Sequence, residues 1–336
     1  MSTTLLTHSG PIRWGILGPG SIAHKLTKSV QAQPETHAVQ AVGSRDIAKA
    51  QAFASQYDIP TAHGSYEALC ADPDVDVIYV ATPHPMHKEH CLLAISHGKH
   101  VLCEKPFTIN ASELQEVVDA ARSQGVFLME AMWSRFFPLM HKLRELLDSK
   151  AIGDVRMVYA DFGFSATFNP QSRLFDPALG GGALLDVGVY AVSFTSFVLG
   201  EPVRIESMMT PAPTGVDAQA ACILGYDGGE LALVSTAVTT NTPWEATILG
   251  TNGKIRLHAS AWHPTKMTVS VTGQPDDLQE FDAHETGFYY EVEEVGNCLR
   301  AGKLESDILS LDESLGIMRT LDRIRAPWGL KYPSEA

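Results

Sequence analysis

The sequence predicts an α/β N-terminal domain on a parallel sheet, followed by an α+β C-terminal domain with a large, mostly antiparallel sheet. Three observations carry this expectation. Over the first hundred residues, short apolar runs alternate with stretches of helical periodicity, the pattern of a parallel sheet with right-handed crossovers. Later in the chain, strand-like runs are joined by Asp227-Gly228-Gly229 and Thr251-Asn252-Gly253, which read as hairpin turns. A length of 336 residues also exceeds what one compact core usually holds. The expected divisions are a disordered lead-in at 1–12, one domain at 13–135 and a second at 136–336. The last helix, 312–325, is a candidate to pack back on the first domain.

The elements follow in order. Residues 13–17 (R-W-G-I-L) form a strand ending at Gly18, and 21–33 place Ile22, Leu26 and Val30 on one helical face. A strand at 37–43 and an Ala-rich helix at 46–57 come next. Residues 75–81 (V-D-V-I-Y-V-A) are nearly continuously apolar, as a strand covered on both faces requires. A helix at 86–97, a strand at 100–103 and a helix at 112–123 complete the set, the last with Asn110 and Glu113 as a capping-box-like start and Gly125 as its stop. The second domain offers strands at 155–164, 203–209, 218–226, 230–238, 246–249, 254–258 and 267–272, with helices at 184–199, 289–300 and 312–325.

Composition narrows the function classes. Apolar residues make up 45% and charged residues 19%, values of a globular chain. Lysine and arginine total 25 against 39 acidic residues, a net charge of −14 that disfavours nucleic-acid backbones and anionic membrane surfaces as partners. Five dispersed cysteines without a C-x-x-C pair disfavour a disulfide framework or structural zinc and favour a reducing, cytoplasmic setting. No stretch is expected to reach the roughly 18 apolar residues needed to cross a bilayer.

Gly18-Pro19-Gly20-Ser21-Ile22-Ala23 fits G-x-G-x-x-A directly between a strand and a helix. Gly18 permits the tight turn, Gly20 leaves room for a pyrophosphate, and the small Ala23 lets helix and strand approach. The helix N-terminus, with Ser21 and Ile22, offers amides to the anion. This is a dinucleotide-binding, Rossmann-type signal. At the end of the second strand an NAD site usually carries an acid for the ribose 2′-hydroxyl. Here the chain reads Gly43-Ser44-Arg45-Asp46, and Ser44 and Arg45 suit a 2′-phosphate, so NADP is expected in preference to NAD.

Further motifs follow: Thr82-Pro83-His84-Pro85-Met86-His87, Glu104-Lys105-Pro106, Met129-Glu130-Ala131-Met132-Trp133-Ser134-Arg135-Phe136-Phe137-Pro138, and Asp186-Val187-Gly188-Val189-Tyr190. With the glycine turn, and over residues 12–333, they resemble the glucose–fructose oxidoreductase/inositol dehydrogenase/rhizopine-catabolism (Gfo/Idh/MocA) family. They are most like its dimeric dihydrodiol dehydrogenase and NADP-dependent D-xylose 1-dehydrogenase branch. The resemblance implies hydride transfer between nicotinamide and a hydroxyl or carbonyl carbon of a sugar, polyol or cyclic diol. It implies Tyr190, where many relatives carry histidine, as proton donor and acceptor, Lys105 as its electrostatic partner, and Asp186 as the orienting carboxylate. An unperturbed tyrosine titrates near 10, so a nearby cation matters for exchange at neutrality. Thr82, Pro83, His84, His87 and Glu104 are implied cofactor neighbours. Trp133, Arg135 and Phe162, with Arg173 and Asp176 as weaker polar candidates, are implied substrate neighbours. Homo-oligomerisation through the C-terminal sheet is implied too. His84, His87 and His90 have suggestive spacing, but the intervening prolines and the missing fourth ligand disfavour a metal. Alternatives are an inositol dehydrogenase, a deoxysugar or anhydrosugar reductase, or a non-catalytic NADP-binding redox sensor.

Overall fold

The computed structural model describes residue 6 and residues 8–335, which form two compact units. Unit one comprises 1–108, 112–133 and 284–314, and unit two comprises 109–111, 134–283 and 315–336. Half of the expected lead-in (1–5 and 7) lies outside the described residues. His8, expected to be part of it, is tied down, its Nε2 lying 3.0 Å from Asp76 Oδ2.

In unit one the strands are β1 (Ile12–Leu17), β2 (His37–Gly43), β3 (Thr61–His63), β4 (Val77–Val80), β5 (His100–Glu104) and β6 (Leu128–Ala131). The helices between them are α1 (Ser21–Gln31), α2 (Ile47–Tyr57), α3 (Tyr66–Cys70), α4 (His87–Ser96) and α5 (Ala111–Gln124). All neighbouring strands pair in parallel, in the order β3-β2-β1-β4-β5-β6. The order reverses beside β1, which opens a crevice at the carboxyl ends of β1 and β4. Every residue of β4 and β5 is buried, in keeping with helices on both faces. Helix α1 buries Ala23, Leu26 and Val30. The short β3, α3 and β6 had no separate place in the sequence reading.

Unit two contains α6 (Pro138–Asp148), β7 (Val155–Gly163), a π-helical turn (Leu184–Gly188) running into α7 (Val189–Leu199), and β8 (Arg204–Pro211). Then come β9 (Asp217–Gly225), β10 (Leu231–Ala237), β11 (Ala246–Gly250), β12 (Gly253–Leu257), β13 (Lys266–Val271) and β14 (Asp277–Glu280). The sheet runs β14-β13-β12-β11-β7-β10-β9-β8 and is antiparallel except for β7 against β10. Side chains of β9 alternate strictly, Ala220, Cys222 and Leu224 inward and Ile223 outward, as one covered face demands. Helix α7 covers that face, packing on β7 and β10. By length and mean hydropathy Pro177–Leu199 would qualify as a bilayer span, which corrects the sequence reading. Most of it is buried, and with the π-helical turn and α7 it supplies the core of the unit.

Two helices close the chain, α8 (Tyr289–Arg300) and α9 (Leu311–Arg325). The expected division at 135/136 changes here. It is α8 that belongs to unit one, where Gln33 Nε2 donates to Tyr289 O at 3.1 Å and the Ser29 and Thr286 hydroxyls lie 2.5 Å apart. Helix α9 starts in unit one through Ser314 and continues in unit two.

Trp14 is fully buried in β1, and its Nε1 donates to His37 Nδ1 at 3.0 Å. Burial, with Arg300 nearby, lowers the His37 pKa to about 4, so the ring is neutral and can accept. Trp14→Ala leaves a cavity and removes this donor. We expect a loss of about 3–5 kcal/mol of unfolding free energy, read from the midpoint of chemical unfolding; a change below 1 kcal/mol would contradict this role for Trp14.

Candidate active site

In unit one, β1 ends and the chain enters Gly18 at φ +94°, where a Cβ would be strained and would lie 3.1 Å from Thr82 Cγ2. Gly18 N–H donates to Gly43 O (3.1 Å) and Gly20 N–H to Gly18 O (2.9 Å), which fixes the turn. Gly20 differs: a Cβ there would meet nothing nearer than Ala81 O at 3.9 Å. Its lack of a side chain serves the exposed surface above it. No side chain caps α1, and Gly20 and Ser21 are exposed. By contrast α2 and α3 begin under Asp46 and Ser65, which accept from Ala48 N–H and Ala68 N–H. Free amides at an open, positive helix end fit a pyrophosphate.

At the end of β2, Ser44 is buried and its Oγ accepts from Asp46 N–H at 3.2 Å. The Asp46 carboxylate is engaged as the α2 cap, and Arg45 is exposed. His90 lies close enough to sense Arg45. Burial first, with Arg45 adding to it, lowers the His90 pKa.

At the end of β4, Thr82 Oγ1 lies 2.9 Å from His90 Nδ1, while Pro83 is exposed and His84 half-buried. His87 requires a correction. It is fully buried, with Nε2 2.7 Å from Thr82 O and Nδ1 2.9 Å from Pro106 O, and burial lowers its pKa to about 4. The ring offers no surface to a ligand. Its two nitrogens face carbonyl oxygens of the β4 turn and of the turn after β5, and the neutral ring donates to one of them at a time, which makes it a buried support between the two turns.

That second turn holds Glu104 and Lys105, with a cis peptide between Lys105 and Pro106. Glu104 is buried and accepts from the Tyr79 hydroxyl through Oε1 and from Lys105 N–H (3.2 Å) through Oε2. Lys105 is half-buried at the carboxyl end of the sheet. Trp133, half-buried, stacks on Phe288 with centroids 5.4 Å apart and planes at 9°.

In unit two, Tyr190 stands in the first turn of α7 and Asp186 in the π-helical turn before it. Asp186 is buried and takes Arg173 Nη1 on Oδ1 at 2.5 Å. Arg173, considered for substrate, is thus the ion-pair partner of Asp186. Phe162 meets the Tyr190 ring edge-on (5.3 Å), stacks on Trp262 (5.6 Å, 15°) and touches Trp244 (5.4 Å). The indoles of Trp262 and Trp244 donate to Asp161 O and Gly163 O, which locks their orientation. Trp244 and Trp262 were absent from the sequence reading because they lie in loops without periodicity.

Two substrate candidates are reassigned. Arg135 is only 3% exposed, its Nη1 donating to Ser193 O and Oγ at 3.2 Å with the guanidinium 4.8 Å over Phe197. It anchors α7 from within the core. Asp176 Oδ1 accepts from Ala178 N–H at 2.8 Å and so caps a short 3-10 turn.

The profile described as "Oxidoreductase family, NAD-binding Rossmann fold" matches residues 12–132, and that of the GFO/IDH/MocA C-terminal domain matches 140–256. The chain belongs to the Gfo/Idh/MocA oxidoreductase family. It is 40% identical to trans-1,2-dihydrobenzene-1,2-diol dehydrogenase of Xenopus tropicalis over 96% of this chain and 99% of that protein. The Homo sapiens protein of the same name is 39% identical at the same coverage. Among solved structures, aldose-aldose oxidoreductase from Caulobacter crescentus, complexed with glycerol, aligns with a TM-score of 0.86 at 25% identity, covering 94% of this chain and 97% of that one. A 3-ketoreductase from Actinomadura kijaniata, solved with NADP and TDP-benzene, aligns at 0.84 and 25% with the same coverage. The chain is thus an NAD(P)-binding oxidoreductase of the dehydrogenase type.

Proposed function

We propose that this enzyme oxidises a secondary hydroxyl of a cyclic trans-diol with NADP, and runs the reverse reduction. The observation that carries the reading is the aromatic wall that Phe162 and Trp262 build against Tyr190, with Trp244 packed on Phe162. Flat apolar walls beside a phenol suit a ring that carries adjacent hydroxyls, because they bury its apolar face and leave the phenol to meet oxygen. The names of the relatives at 40% identity support the same class.

Bound nicotinamide supplies the hydride acceptor. Tyr190, as the phenolate, takes the hydroxyl proton and becomes the phenol as the carbonyl forms, and Lys105 steadies the negative charge on the reacting oxygens. Asp186, fixed by Arg173, orients the first turn of the helix that bears Tyr190. We expect NADP+ reduction with trans-1,2-dihydrobenzene-1,2-diol to exceed that with D-xylose or myo-inositol. Tyr190→Phe and Lys105→Met should each lower kcat by about 10²-fold or more while NADPH binding, followed by fluorescence titration, stays intact. Turnover with D-xylose alone would move the substrate class to sugars, and wild-type kcat in both variants would remove the pair from the chemistry.

For the cofactor, Arg45 is exposed beyond β2 and the nearby Asp46 carboxylate is engaged as a cap, which favours a 2′-phosphate over a bare ribose hydroxyl. Arg45→Ala should weaken NADPH at least tenfold more than NADH in calorimetry. Equal losses would mean that the 2′-phosphate is read elsewhere.

A second copy of the chain is the proposed partner of the outer face of the second sheet. Tyr159, Leu233 and Ile223 lie side by side across β7, β10 and β9, and all are exposed, as is Met208 at 79%. An apolar row of this kind on a sheet face marks a contact surface. Ile223→Lys should convert a dimer to monomer in sedimentation; a wild-type monomer would end the idea. A reducing, cytoplasmic setting is also proposed, since all five cysteines are free and buried.

A further inference from the structure

The helix that carries Asp186 and Tyr190 begins in an unusual way. Local side chains cap α2 and α3, but the cap here comes from a residue 33 positions downstream, the first of β9. Asp217 Oδ2 accepts Leu184 N–H at 2.6 Å, while Oδ1 is buried with no hydrogen-bond partner among the described residues. Asp217 is fully buried.

The surrounding chain is shaped to admit this carboxylate. Gly182 has φ +122°, and a Cβ on it would lie 2.2 Å from Asp217 Oδ1. Only glycine leaves space for the acid at that point. The same turn is held from two further sides. Thr236 Oγ1 donates to Ala183 O at 3.1 Å, and the Tyr332 hydroxyl donates to Gly181 O at 2.8 Å. Tyr332 is in turn fixed by its own N–H to Glu335 Oε2 (3.0 Å) and by the Arg325 guanidinium, which pairs with Glu335 and lies 5.4 Å over the Tyr332 ring.

A serine or asparagine cap would serve helix stability without the cost of desolvating a carboxylate. Burial pushes the Asp217 acid up to about 7 against the amides and Arg325, which favour the anion. Such an arrangement is expensive for stability alone, yet it grips the backbone two residues before Asp186 and six before Tyr190. The wide π-type turn that follows is a form frequent at functional sites.

We propose that Asp217 is a positioning residue, which holds the start of this helix so that Tyr190 and Asp186 keep the placement the proton transfer needs. The inference rests on the reading of Tyr190 as the proton carrier. Its test is a double-mutant cycle on the full-length enzyme, with NADP+ and trans-1,2-dihydrobenzene-1,2-diol, or D-xylose if that is the better substrate. We expect Asp217→Ala to lower kcat at least tenfold with KM changed less than threefold and NADPH affinity unchanged within twofold. In a Tyr190→Phe background the same substitution should cost less than threefold. Asp217→Asn keeps the shape and one acceptor oxygen, so it should lose about threefold or more in kcat, and it carries the test if the alanine protein does not fold. Equal losses in both backgrounds, a parallel loss of NADPH affinity, or full turnover in a folded Asp217 variant while Tyr190→Phe is inactive would each overturn the proposal alone. Wild-type turnover in Tyr190→Phe would instead strike the parent reading and the proposal with it.

Discussion

The amino end of α1 is the point on which the first unit turns. Four amides at any helix start need acceptors, and here no side chain supplies one. The sheet order reverses beside the same strand, so the open amides stand at the mouth of a crevice. Gly18 lets the chain turn sharply enough to begin the helix there, and Gly20 keeps the surface bare. An anion is the natural complement of this end, and its charge meets the helix dipole. The rest of the first unit (the buried β4 and β5, the His87 strut, the Glu104 turn) holds other groups in register with that fixed point.

Buried acids recur through the chain and each is managed differently. Glu104 accepts from the Tyr79 hydroxyl and from the Lys105 backbone. Glu130 takes a hydrogen bond from Ser314 Oγ at 2.9 Å. Glu291 is fully buried, and burial together with the nearby Glu104 pushes its carboxyl well above the usual range. The same two influences, with the short bond to Glu104, keep the Tyr79 phenol protonated.

Much of the first unit was legible because its signals are local. The glycine turn, the apolar run at 75–81 and the helix faces each need only a dozen neighbouring residues to be read. The three-residue β3 and five-residue α3 are too short to show a period, and the edge strand β14 (D-L-Q-E) has the polar character that edges require. Helix α8 was assigned to the wrong unit because its amphipathic face says that it packs, not against what. At the site, lysine, tyrosine and the glycines stood in motifs, whereas Trp244 and Trp262 reach Phe162 through tertiary folding alone. Arg135 misled because a motif arginine beside aromatics reads equally as a ligand contact or as a core anchor.

The π-type turn at Leu184–Gly188 has one more consequence. Such a turn accommodates one residue more than an α-helical turn, and each residue of an ordinary helix rotates the chain by roughly 100°. Removing a single residue there would swing Asp186 around the axis relative to Tyr190 while leaving the remainder of the rod intact. The length of this turn therefore sets the angle between the acid and the phenol, and a one-residue change between them would re-aim one against the other.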